Sequence, residues 1–593
     1  MLAAERLGDK GVRMTKVTRW FGLAALGCAV VVGSGAFAAD TAPKPETEAG
    51  IPVTDKLVIE KCGACHEADD KGNLSRISWA RTTPEGWAQV IRRMVRLNGV
   101  KLEPDEGRAI VKYLATYHGL APEEAKPVMY VPEKRVIDEP NLPDEIVRDA
   151  CSRCHEFGRG LSWRRTKSEW KLLENLHVAM FAQADAGFRT PIRWGAPGGA
   201  PAPAAEGGAK PKRPADAALD YFAKMAPLHT PEWAAWRPRI RAPRIAGKWY
   251  VSAVVPGQGQ YVGELTISPT ETPDEFRTEA TLRSVATGAK MTRVGTGLVY
   301  AGYSWRGRSK GNSAANRPDD AASETRETMW FAPDQSSAEG RWYWGEYSEF
   351  GFDVRLERGG AGAAVLGVSP PMVKAGSKGV QLKIVGANLP AGVTPADLDL
   401  GAGVTVNRIV SHAATEIVAE VDVDAAAVSG KRDAALAGSV AQTAFAVYRK
   451  IDNIVVTPET GLARLGGAGN FAKGYQQFEA IGYENGPDGK AHTADDVAIG
   501  PIEVTWSVEE FLSVYGDDDR EFVGELNQRG LFTPALQGPN PKRKFGRNNY
   551  GDVWVVATAK TDKDKDGKAV SGRSRLVVTI PTYMRWDQPE VSR

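Results

Sequence analysis

The segments Cys62-Gly63-Ala64-Cys65-His66 and Cys151-Ser152-Arg153-Cys154-His155 decide the organisation of this chain of 593 residues. Each is a C-x-x-C-H pentapeptide, the attachment motif of haem c, in which two thioether sulfurs hold the porphyrin and the histidine becomes an axial iron ligand. A redox dithiol does not need the histidine, and a zinc site needs four converging ligands. Two complete copies therefore predict two covalently bound haem c groups, which carry out one-electron transfer.

The first 38 residues have the pattern of a secretory signal peptide. Arg13, Lys16 and Arg19 precede an apolar run over residues 20–35, and Ala36-Phe37-Ala38 resembles a cleavage site. A retained membrane anchor is the alternative, but the run is short for a spanning helix and ends in small residues. Because haem c is attached outside the cytoplasmic membrane, the sequence predicts a periplasmic protein with no stable membrane insertion after cleavage.

Cysteine usage and charge limit the remaining functions. Four of the five cysteines lie in the two motifs, and the fifth, Cys28, lies in the signal segment, where its context is poor for a lipoprotein site. No disulfide is therefore expected in the mature chain. The 75 Lys and Arg residues nearly balance 73 Asp and Glu residues, which does not favour nucleic acid as a partner.

An internal repeat indicates the sixth iron ligands. Trp87 precedes Met94 by seven residues, and Trp170 precedes His177 by the same distance, which is about two helical turns and places each pair on one helix face. The repeat therefore predicts that the first haem has His66 and Met94 as ligands, and that the second has His155 and His177. Thioether ligation raises the potential relative to bis-histidine ligation, so two unlike haems would form a graded relay.

Other assignments of the sixth ligands remain open. Met94 could be a core methionine and His177 a histidine satisfied within its helix. The rival ligands are His118 or Met129 for the first haem, and Met180, Met225 or His229 for the second. Two six-coordinate sites would argue against oxygen or peroxide chemistry at iron.

The sequence divides into four domains after the signal peptide at 1–38. We expect an all-α dihaem cytochrome c domain, followed by three antiparallel all-β domains: one barrel-like and two immunoglobulin-like sandwiches. Low-complexity Ala, Pro and Gly at 195–216 predict a flexible surface insertion. The expected ranges are 50–237 for the haem domain (repeats 50–130 and 140–237), 245–358 for the barrel, 364–449 for the first sandwich and 450–588 for the second.

Two Asp/Gly loops have partial resemblance to calcium sites. Asp562-x-Asp564-x-Asp566-Gly567 matches the start of an EF-hand loop, but its twelfth position is Arg573 rather than Glu. Asp488-Gly489 followed by Asp495-Asp496 is a weaker match. Solvated turns are the favoured interpretation of both loops.

In domain order and haem motifs the chain resembles the alpha subunit of quinohemoprotein amine dehydrogenase. The resemblance rests on the two pentapeptides and on the paired segments Trp87/Met94 and Trp170/His177, although residues 195–216 form a larger insertion than the family pattern. It implies a periplasmic heterotrimer with a β-propeller subunit and a small gamma subunit, which carries cysteine tryptophylquinone and deaminates primary amines to aldehydes. The alpha subunit would pass electrons to a soluble azurin-like copper protein or cytochrome c and would contain no catalytic residue. No cysteine of this chain is available for a quinone crosslink.

Two other functions are compatible with the motifs. A stand-alone dihaem cytochrome or peroxidase would need one haem without a sixth ligand and would be active as an isolated chain. A haem-bearing scaffold would use its β domains to bind a partner without any dehydrogenase activity.

Overall fold

The computed structural model describes residues 48–129, 145–151, 157–189, 212–312, 319–344, 350–468, 472–512 and 516–580. The expected signal peptide, Cys154, His155 and most of the expected insertion lie outside these ranges. Within the described residues, no helix has the length and apolar character that crossing a membrane requires.

The N-terminal region is largely helical and contains one small sheet, so it is not entirely α as the sequence analysis expected. A two-stranded antiparallel ribbon pairs Ala80 with Arg165, Arg81 with Arg164 and Thr82 with Trp163. The described elements are α1 (Lys56–Cys62), β1 (Ala80–Thr82), α2 (Pro84–Asn98), α3 (Pro104–Tyr117), α4 (Pro122–Ala125), α5 (Glu145–Cys151), α6 (Gly158–Leu161), β2 (Trp163–Arg165), α7 (Lys167–Met180), α8 (Ala182–Arg189), α9 (Pro214–Met225) and α10 (Pro231–Trp236).

One end of the expected flexible insertion is ordered. The insertion expected at 195–216 includes Asp216, but α9 begins at Pro214. Proline is favourable at the first helical position because its missing N–H has no partner there in any case. Asp216 also lies in the first turn, where a carboxylate is favourable, and pairs with Arg213 at 2.6 Å.

The two helical repeats begin their longest helices, α2 and α7, with the same hydrogen-bonding pattern. The hydroxyl of Thr83 accepts from the third amide of α2, and that of Thr166 accepts from the third amide of α7, both at 3.3 Å. Such N-caps satisfy backbone donors that have no partner within the helix. The residue before each capping threonine donates its backbone N–H to the residue that directly follows a later helix of its repeat, α3 or α9: Thr82 to the His118 carbonyl at 3.1 Å and Arg165 to the Ala226 carbonyl at 3.2 Å.

A buried carboxylate joins the two repeats. Glu124 accepts from Arg81 at 2.8 and 3.0 Å and from Arg164 at 3.1 Å, while the Thr230 hydroxyl donates to it at 2.8 Å. Burial alone would raise the pKa of Glu124, but the hydrogen bonds and charge of Arg81, together with the charge of Arg164, lower it to about 2. The group is therefore an ion at neutral pH, and it holds two paired strands that each carry a cation.

The second region is a closed eight-stranded antiparallel barrel, as the alternating sequence pattern predicts. Neighbouring strands follow chain order, and the last strand pairs with the first, so no edge is left unpaired. Its strands are β3 (Gly247–Val255), β4 (Gly259–Pro269), β5 (Glu275–Ser284), β6 (Lys290–Tyr300), β7 (Ser304–Gly311), β8 (Thr325–Phe331), β9 (Ser337–Trp344) and β10 (Phe350–Arg358).

The helical region packs directly on the barrel. Glu85 in the first turn of α2 forms a buried ion pair with Arg306 of β7; Arg306 Nη2 lies 3.1 Å from Glu85 Oε2, and its Nε also contacts Oε1. Trp330 Nε1 donates to the Pro122 carbonyl at 2.9 Å, and Tyr303 donates to the Leu120 carbonyl at 2.9 Å. Charged and aromatic side chains of the barrel therefore bind the first repeat, the aromatic ones through backbone carbonyls at the start of α4.

The last two regions are built from β-sheets, and their order agrees with the sequence analysis. The third has one sheet in the order β11-β13-β16-β15 and one in the order β12-β18-β17-β14. Its strands are β11 (Ala364–Ser369), β12 (Met372–Lys374), β13 (Val380–Ala387), β14 (Leu398–Asp399), β15 (Val404–Ala413), β16 (Glu416–Val423), β17 (Gly430–Leu436) and β18 (Ser439–Tyr448).

The fourth region has three described sheets, in the orders β19-β22-β23, β20-β28-β27-β24 and β21-β26-β25. Its described elements are β19 (Asn453–Thr457), β20 (Thr460–Arg464), β21 (Gln476–Gln477), β22 (Glu479–Glu484), β23 (Val497–Pro501), β24 (Val504–Glu510), α11 (Asp519–Phe522), β25 (Gly524–Leu526), β26 (Leu531–Pro534), β27 (Gly551–Lys563) and β28 (Ala569–Thr579).

The expectation of purely antiparallel sheets is wrong at one position in each of these regions. Strand β12 runs parallel to β18, and β20 runs parallel to β28. In both cases Pro370 or Pro458 follows the preceding strand closely, and proline cannot donate to a ladder. The chain therefore leaves one sheet there and joins the other alongside its final strand.

We expect Glu124→Gln to lower the free energy of unfolding of the helical region by about 3–5 kcal/mol, because it leaves two buried arginines without their counter-charge. Chemical denaturation followed by the helical circular dichroism signal measures this. The matched control is Glu123→Gln, an exposed neighbour on the same helix, which should change the value by less than about 0.5 kcal/mol. Equal stability of the two variants would contradict the role given to Glu124.

The lowered pKa of Glu124 leads to a prediction about stability at low pH. Because the folded-state pKa of Glu124 is depressed from 4.5 to about 2, its contribution is complete above the unfolded value and is lost as pH falls through this window. Acid titration of unfolding should therefore show a steeper loss of stability between about pH 4.5 and 2 for the parent protein than for Glu124→Gln. Parallel acid titration curves would count against this linkage.

Candidate functional site

The first pentapeptide forms one compact turn at the end of α1. The backbone amides of Cys65 and His66 both donate to the Cys62 carbonyl, at 3.2 and 2.9 Å, and Gly63 N–H donates to the Ile59 carbonyl. The helix thus continues into the motif and then closes on Cys62. This turn brings two sulfurs and one imidazole to the same end of the helix.

The orientation of His66 leaves one ring nitrogen for a ligand. Its Nδ1 lies 2.7 Å from the Ser75 carbonyl, an acceptor, so Nδ1 carries the hydrogen. A histidine that binds a metal commonly donates its other N–H to a carbonyl in this way, which sets the tautomer and the ring direction. Nε2 of His66 is therefore the atom available to iron.

The cysteine thiols do not have the character of a redox dithiol. Burial raises the pKa of Cys62, with a smaller contribution from Cys65, and burial raises the pKa of Cys151 to about 12. Reactive cysteines instead need a thiolate, which a positive environment or a helix N-terminus provides. Cys62 and Cys151 lie at the C-terminal ends of α1 and α5, the unfavourable ends for a thiolate.

The second pentapeptide is described only at its first residue. Cys151 ends α5 and packs against a small apolar core that includes Val147, Phe157, Trp170 and Phe222. Cys154 and His155 lie outside the described residues. The first motif has an equivalent position, because Cys62 ends α1 and packs against the core of the first repeat.

Met94 and His177 occupy the same position in equivalent helices. Each lies eleven residues after its capping threonine, from 83 to 94 and from 166 to 177, and both side chains are half-buried. Asn98 Nδ2 donates to Met94 Sδ at 3.6 Å. His177 Nδ1 lies 2.9 Å from the Leu173 carbonyl, so Nδ1 carries the hydrogen.

The rival ligands of the first haem are enclosed by protein. His118 is fully buried and its ring contacts those of Trp87 and Tyr113. Burial, aided by the positive charges of Arg237 and Arg81, lowers the pKa of His118 to about 3, so it is neutral. Met129 is also buried, at a small cavity beside the barrel.

The rival ligands of the second haem lie at helix ends or in loops. Met180 and Met225 are the last residues of α7 and α9, with 46% and 52% of their surfaces exposed. His229 Nε2 contacts the Ala49 carbonyl at 2.6 Å. None of these three residues lies eleven positions after a capping threonine, which is the position that His177 and Met94 share.

The surroundings of the first motif fit a covalently held porphyrin. Ile59 on α1 and Val95 and Leu97 on α2 expose 43%, 40% and 62% of their surfaces, although they belong to the helices that carry Cys62 and Met94. A group of large apolar side chains exposed on one surface commonly marks the place where an apolar ligand binds and covers them. The two sulfurs and the oriented imidazole at the end of α1 are the groups that haem c attachment needs, and the Met94 thioether on α2 is of a type that can serve as a sixth ligand.

Sequence reasoning missed the residues between the two sites. Trp163 packs against the apolar cores of both repeats, and its ring centroid lies 5.8 Å from that of Trp87. Arg76, two residues before Ser78, donates to Glu169 of the second repeat at 3.0 Å. The signal was present as Ser78-Trp79-Ala80-Arg81-Thr82 and Ser162-Trp163-Arg164-Arg165-Thr166, two similar segments just before the repeated helices.

Family models of one kind match four consecutive segments of the chain. Residues 53–190 match the model described as quinohemoprotein amine dehydrogenase A, alpha subunit, haem binding. Residues 242–359, 362–449 and 454–591 match the models for domains II, III and IV of the quinohemoprotein amine dehydrogenase alpha subunit. The order of the four matches follows the order of the domains in the family names.

Comparison with solved structures returns partial likenesses. A redesigned β-barrel bound to DFHBI has 14% identity over 19% of this chain and 94% of that chain, with a TM-score of 0.16. Human protocadherin-24 EC1-2 has 12% identity over 37% and 98%, with a TM-score of 0.14. SGBP-B of the Bacteroides ovatus mixed-linkage glucan utilization locus has 13% identity over 38% and 51%, with a TM-score of 0.16. TM-scores this low do not indicate a shared fold. No curated protein sequence matches the chain significantly.

Proposed function

The chain belongs to the quinohemoprotein amine dehydrogenase alpha-subunit family and contains the haem-binding domain of that family, and from this premise we propose that it is the dihaem electron-transfer subunit of an amine-oxidising complex. The observation that carries the proposal is the repeated frame, in which each haem motif is followed by a threonine-capped helix with a potential iron ligand at one position. Two such units in direct contact suit a relay better than a single binding site.

Residues of this chain would hold two haem c groups, which supply reversible one-electron transfer when bound. Cys62 and Cys65 would anchor the first, with His66 and Met94 as axial ligands. Cys151 and Cys154 would anchor the second, with His155 and His177 as axial ligands. The Ser75 carbonyl lies against Nδ1 of His66 and the Leu173 carbonyl against Nδ1 of His177, so in this proposal each ring would bind iron through Nε2.

The contact between the repeats supports transfer within the chain. Cys62 packs against one apolar core and Cys151 against the other, and Trp163 belongs to the boundary of both. The ribbon of β1 and β2 and the ion pairs of Glu124 hold these cores together. A fixed separation between two redox centres is what a relay requires.

Unlike axial ligands would give the relay a direction. A thioether ligand favours ferrous iron relative to imidazole, so the Met94 site would have the higher potential. The amide of Asn98, which donates to Met94 Sδ, would hold the sulfur in one orientation. This ranking makes the Met94 site the later acceptor within the chain.

The amine chemistry is assigned to another subunit. In the proposed heterotrimer, a small gamma subunit carries cysteine tryptophylquinone and a β-propeller subunit supports it, while this chain delivers electrons to a soluble azurin-like copper protein or cytochrome c. Only Cys28 lies outside the haem motifs, so this chain offers no cysteine for such a quinone after signal cleavage. The complex would act on primary amines in the periplasm.

The β regions are proposed as separate domains with supporting roles. We assign the barrel to 245–358, an immunoglobulin-like domain to 364–449 and a C-terminal sandwich to 450–588, after a haem domain at 50–237. Three large apolar cores correspond to the three β regions, although the barrel core also includes residues of the helical region and the core of the fourth region includes Ala446 of the third. The barrel would fix the helical region through Glu85–Arg306, and the later domains would provide surface for the other subunits.

We expect His177→Ala to convert one haem to a high-spin or substituted spectrum and to leave the other haem unchanged, because it removes the imidazole from one iron only. Met94→Ala should instead abolish the sulfur–iron charge-transfer absorption of the oxidised protein. Optical and electron paramagnetic resonance spectra of the purified variants measure both changes.

Met180→Ala is the matched control, since Met180 lies on the same helix three residues beyond His177. Its spectra should equal those of the parent protein. A change with Met180→Ala and none with His177→Ala would overturn the repeat alignment, and persistence of the sulfur band in Met94→Ala would assign the thioether ligand to another methionine.

The function itself is tested by reduction of haem in the native complex. Adding a primary amine to the purified complex should reduce the haems, whereas the corresponding primary alcohol should not, and the isolated chain should respond to neither. Amine turnover by the isolated chain would refute the division of labour. Native material that lacks both a quinone-bearing partner and amine-dependent reduction would favour the scaffold function, and peroxide turnover with a five-coordinate haem would favour a peroxidase.

A further inference from the structure

The guanidinium group of Arg165, at the boundary of the two repeats, makes no hydrogen bond to the described residues. Arg165 ends β2 and is buried, with 8% of its surface exposed, and its Nε has no partner. It pairs with Glu169, but Glu169 Oε2 lies 3.8 Å from Arg165 Nη1, which is too far for a hydrogen bond. A guanidinium group has five N–H donors, and removing them from water without acceptors is unfavourable.

Two aromatic rings hold the charge of Arg165 without satisfying its donors. The guanidinium carbon lies 4.0 Å from the ring centroid of Trp163 and 5.6 Å from that of Trp170. A ring face attracts a cation, but it provides no oxygen acceptor for the N–H groups. These contacts therefore position the group and leave its hydrogen-bonding capacity unused.

Two further arginines, both in the first repeat, lie within electrostatic reach of Arg165. Arg76 donates to Glu169 Oε2 at 3.0 Å, so this carboxylate already has a hydrogen-bonded cation. Arg93 of α2 is half-buried and forms neither a hydrogen bond nor an ion pair within the described part of the chain. Burial lowers the pKa of Arg165 to about 10 against the attraction of Glu169, and the charges of the other two arginines lower it further. These three cations, the arginine cluster, thus share one carboxylate.

The arginine cluster lies beside the residues proposed to bind the first haem. Arg76 follows Ser75, whose carbonyl lies against Nδ1 of His66. Arg93 directly precedes Met94 on α2. A haem c group carries two propionate carboxylates, on the edge of the porphyrin away from the carbons that take the cysteine sulfurs. The group expected at this place therefore brings the negative charge that the cluster lacks.

The second repeat has an apolar residue where the first repeat has Arg93. Arg93 lies ten residues after its capping threonine, from 83 to 93, and Leu176 lies ten residues after the other, from 166 to 176. Arg165, although it belongs to the second repeat, adds its charge to the two cations of the first. This asymmetry indicates an anionic group at one haem rather than the same contact repeated at both.

We propose that the arginine cluster binds the propionates of the first haem, with Arg93 and Arg165 as the hydrogen-bond donors. The inference rests on the proposed function, because it requires haem c at the first motif. Arginine suits this role, since its donors form a planar fork that matches the two oxygens of a carboxylate. A side chain of the second repeat would thus hold the haem of the first.

The arginine cluster would also act on the potential of the first haem. Arg76, held by Glu169, would add positive charge beside the two donors. Positive charge near iron favours the ferrous state, because that state carries one positive charge less. The effect has the same direction as thioether ligation by Met94, so both would raise the potential of this haem.

Arg93→Gln and Arg165→Gln test the proposal in the full chain with its haems attached. We expect each variant to keep two covalent haems, because the thioether bonds are unaffected. In resonance Raman spectra, a propionate bending band should move to lower frequency as its hydrogen bond is lost. In spectroelectrochemical titration, the haem with the sulfur–iron absorption should have a lower midpoint potential than in the parent chain. Arg93→Gln, at a half-buried position, decides the question if Arg165→Gln does not fold.

Arg96→Gln is the matched control, since Arg96 lies on the same helix three residues beyond Arg93 and is exposed. Its propionate band should equal that of the parent chain, and its potential should fall by less than that of Arg93→Gln. Arg93→Lys keeps the charge but not the fork, so it should restore most of the potential while the band remains shifted.

The outcomes separate this inference from the proposed function. A propionate band that is unchanged in Arg93→Gln and Arg165→Gln, in a chain that carries two haems, would overturn the inference and leave the proposed function intact. An equal band shift in Arg96→Gln would also overturn it. A first-haem potential that depends on phosphate concentration at constant ionic strength, with no change of the band in the variants, would assign the cluster to a soluble anion instead. A parent chain without two covalent haems would refute the proposed function and this site together.

Discussion

The helical region depends on one buried carboxylate. Arg81 and Arg164 lie opposite each other on β1 and β2, and two like charges in cross-strand positions would normally repel. Glu124 lies between them and accepts from both guanidinium groups, while Arg81 also donates to the carbonyls of Gly119 and Leu228. A buried ion pair of this kind contributes little net stability over an apolar equivalent, but it defines one geometry because any displacement leaves a charge unpaired. The two helical repeats are thereby held in one relative position.

The two helical repeats share a frame but differ at the positions proposed to bind iron. The capping threonine, the tryptophan four residues later and the carbonyl that follows α3 or α9 recur in both repeats. The side chains that differ lie within this common frame: Met94 stands where the second repeat has His177. The indole of Trp87 donates to the His118 carbonyl at 2.9 Å, whereas Trp170 Nε1 has no partner among the described residues. Local substitutions can therefore change the surroundings of each proposed iron site without altering the backbone around it.

The barrel is a support rather than a container. Its aliphatic and aromatic side chains form a continuous apolar core that also includes Leu120, Ala121 and Val128 of the helical region. Fully buried Arg293 donates to Ser309, to Thr325 and to the carbonyls of Ala321 and Ser323, so its charge is dispersed over polar groups of the barrel wall. Closure of the sheet removes free edges, and the buried Glu85–Arg306 pair then fixes α2, the helix of Met94, against this platform.

Local patterns determined much of this protein. The C-x-x-C-H spacing predicts haem attachment because neighbouring residues suffice to bring two sulfurs and an imidazole together, and the seven-residue separation of Trp87 from Met94 predicts that they share a helix face. Alternation along the strands likewise indicated the barrel. Only the tertiary structure decided that Glu124 joins Arg81 to Arg164, that Trp163 lies between two cores, and that β12 and β20 pair in parallel. These contacts join residues that are distant in the chain, so local sequence patterns cannot predict them. They are important because a buried charge or amide without a partner is strongly unfavourable, whereas in water it would be solvated.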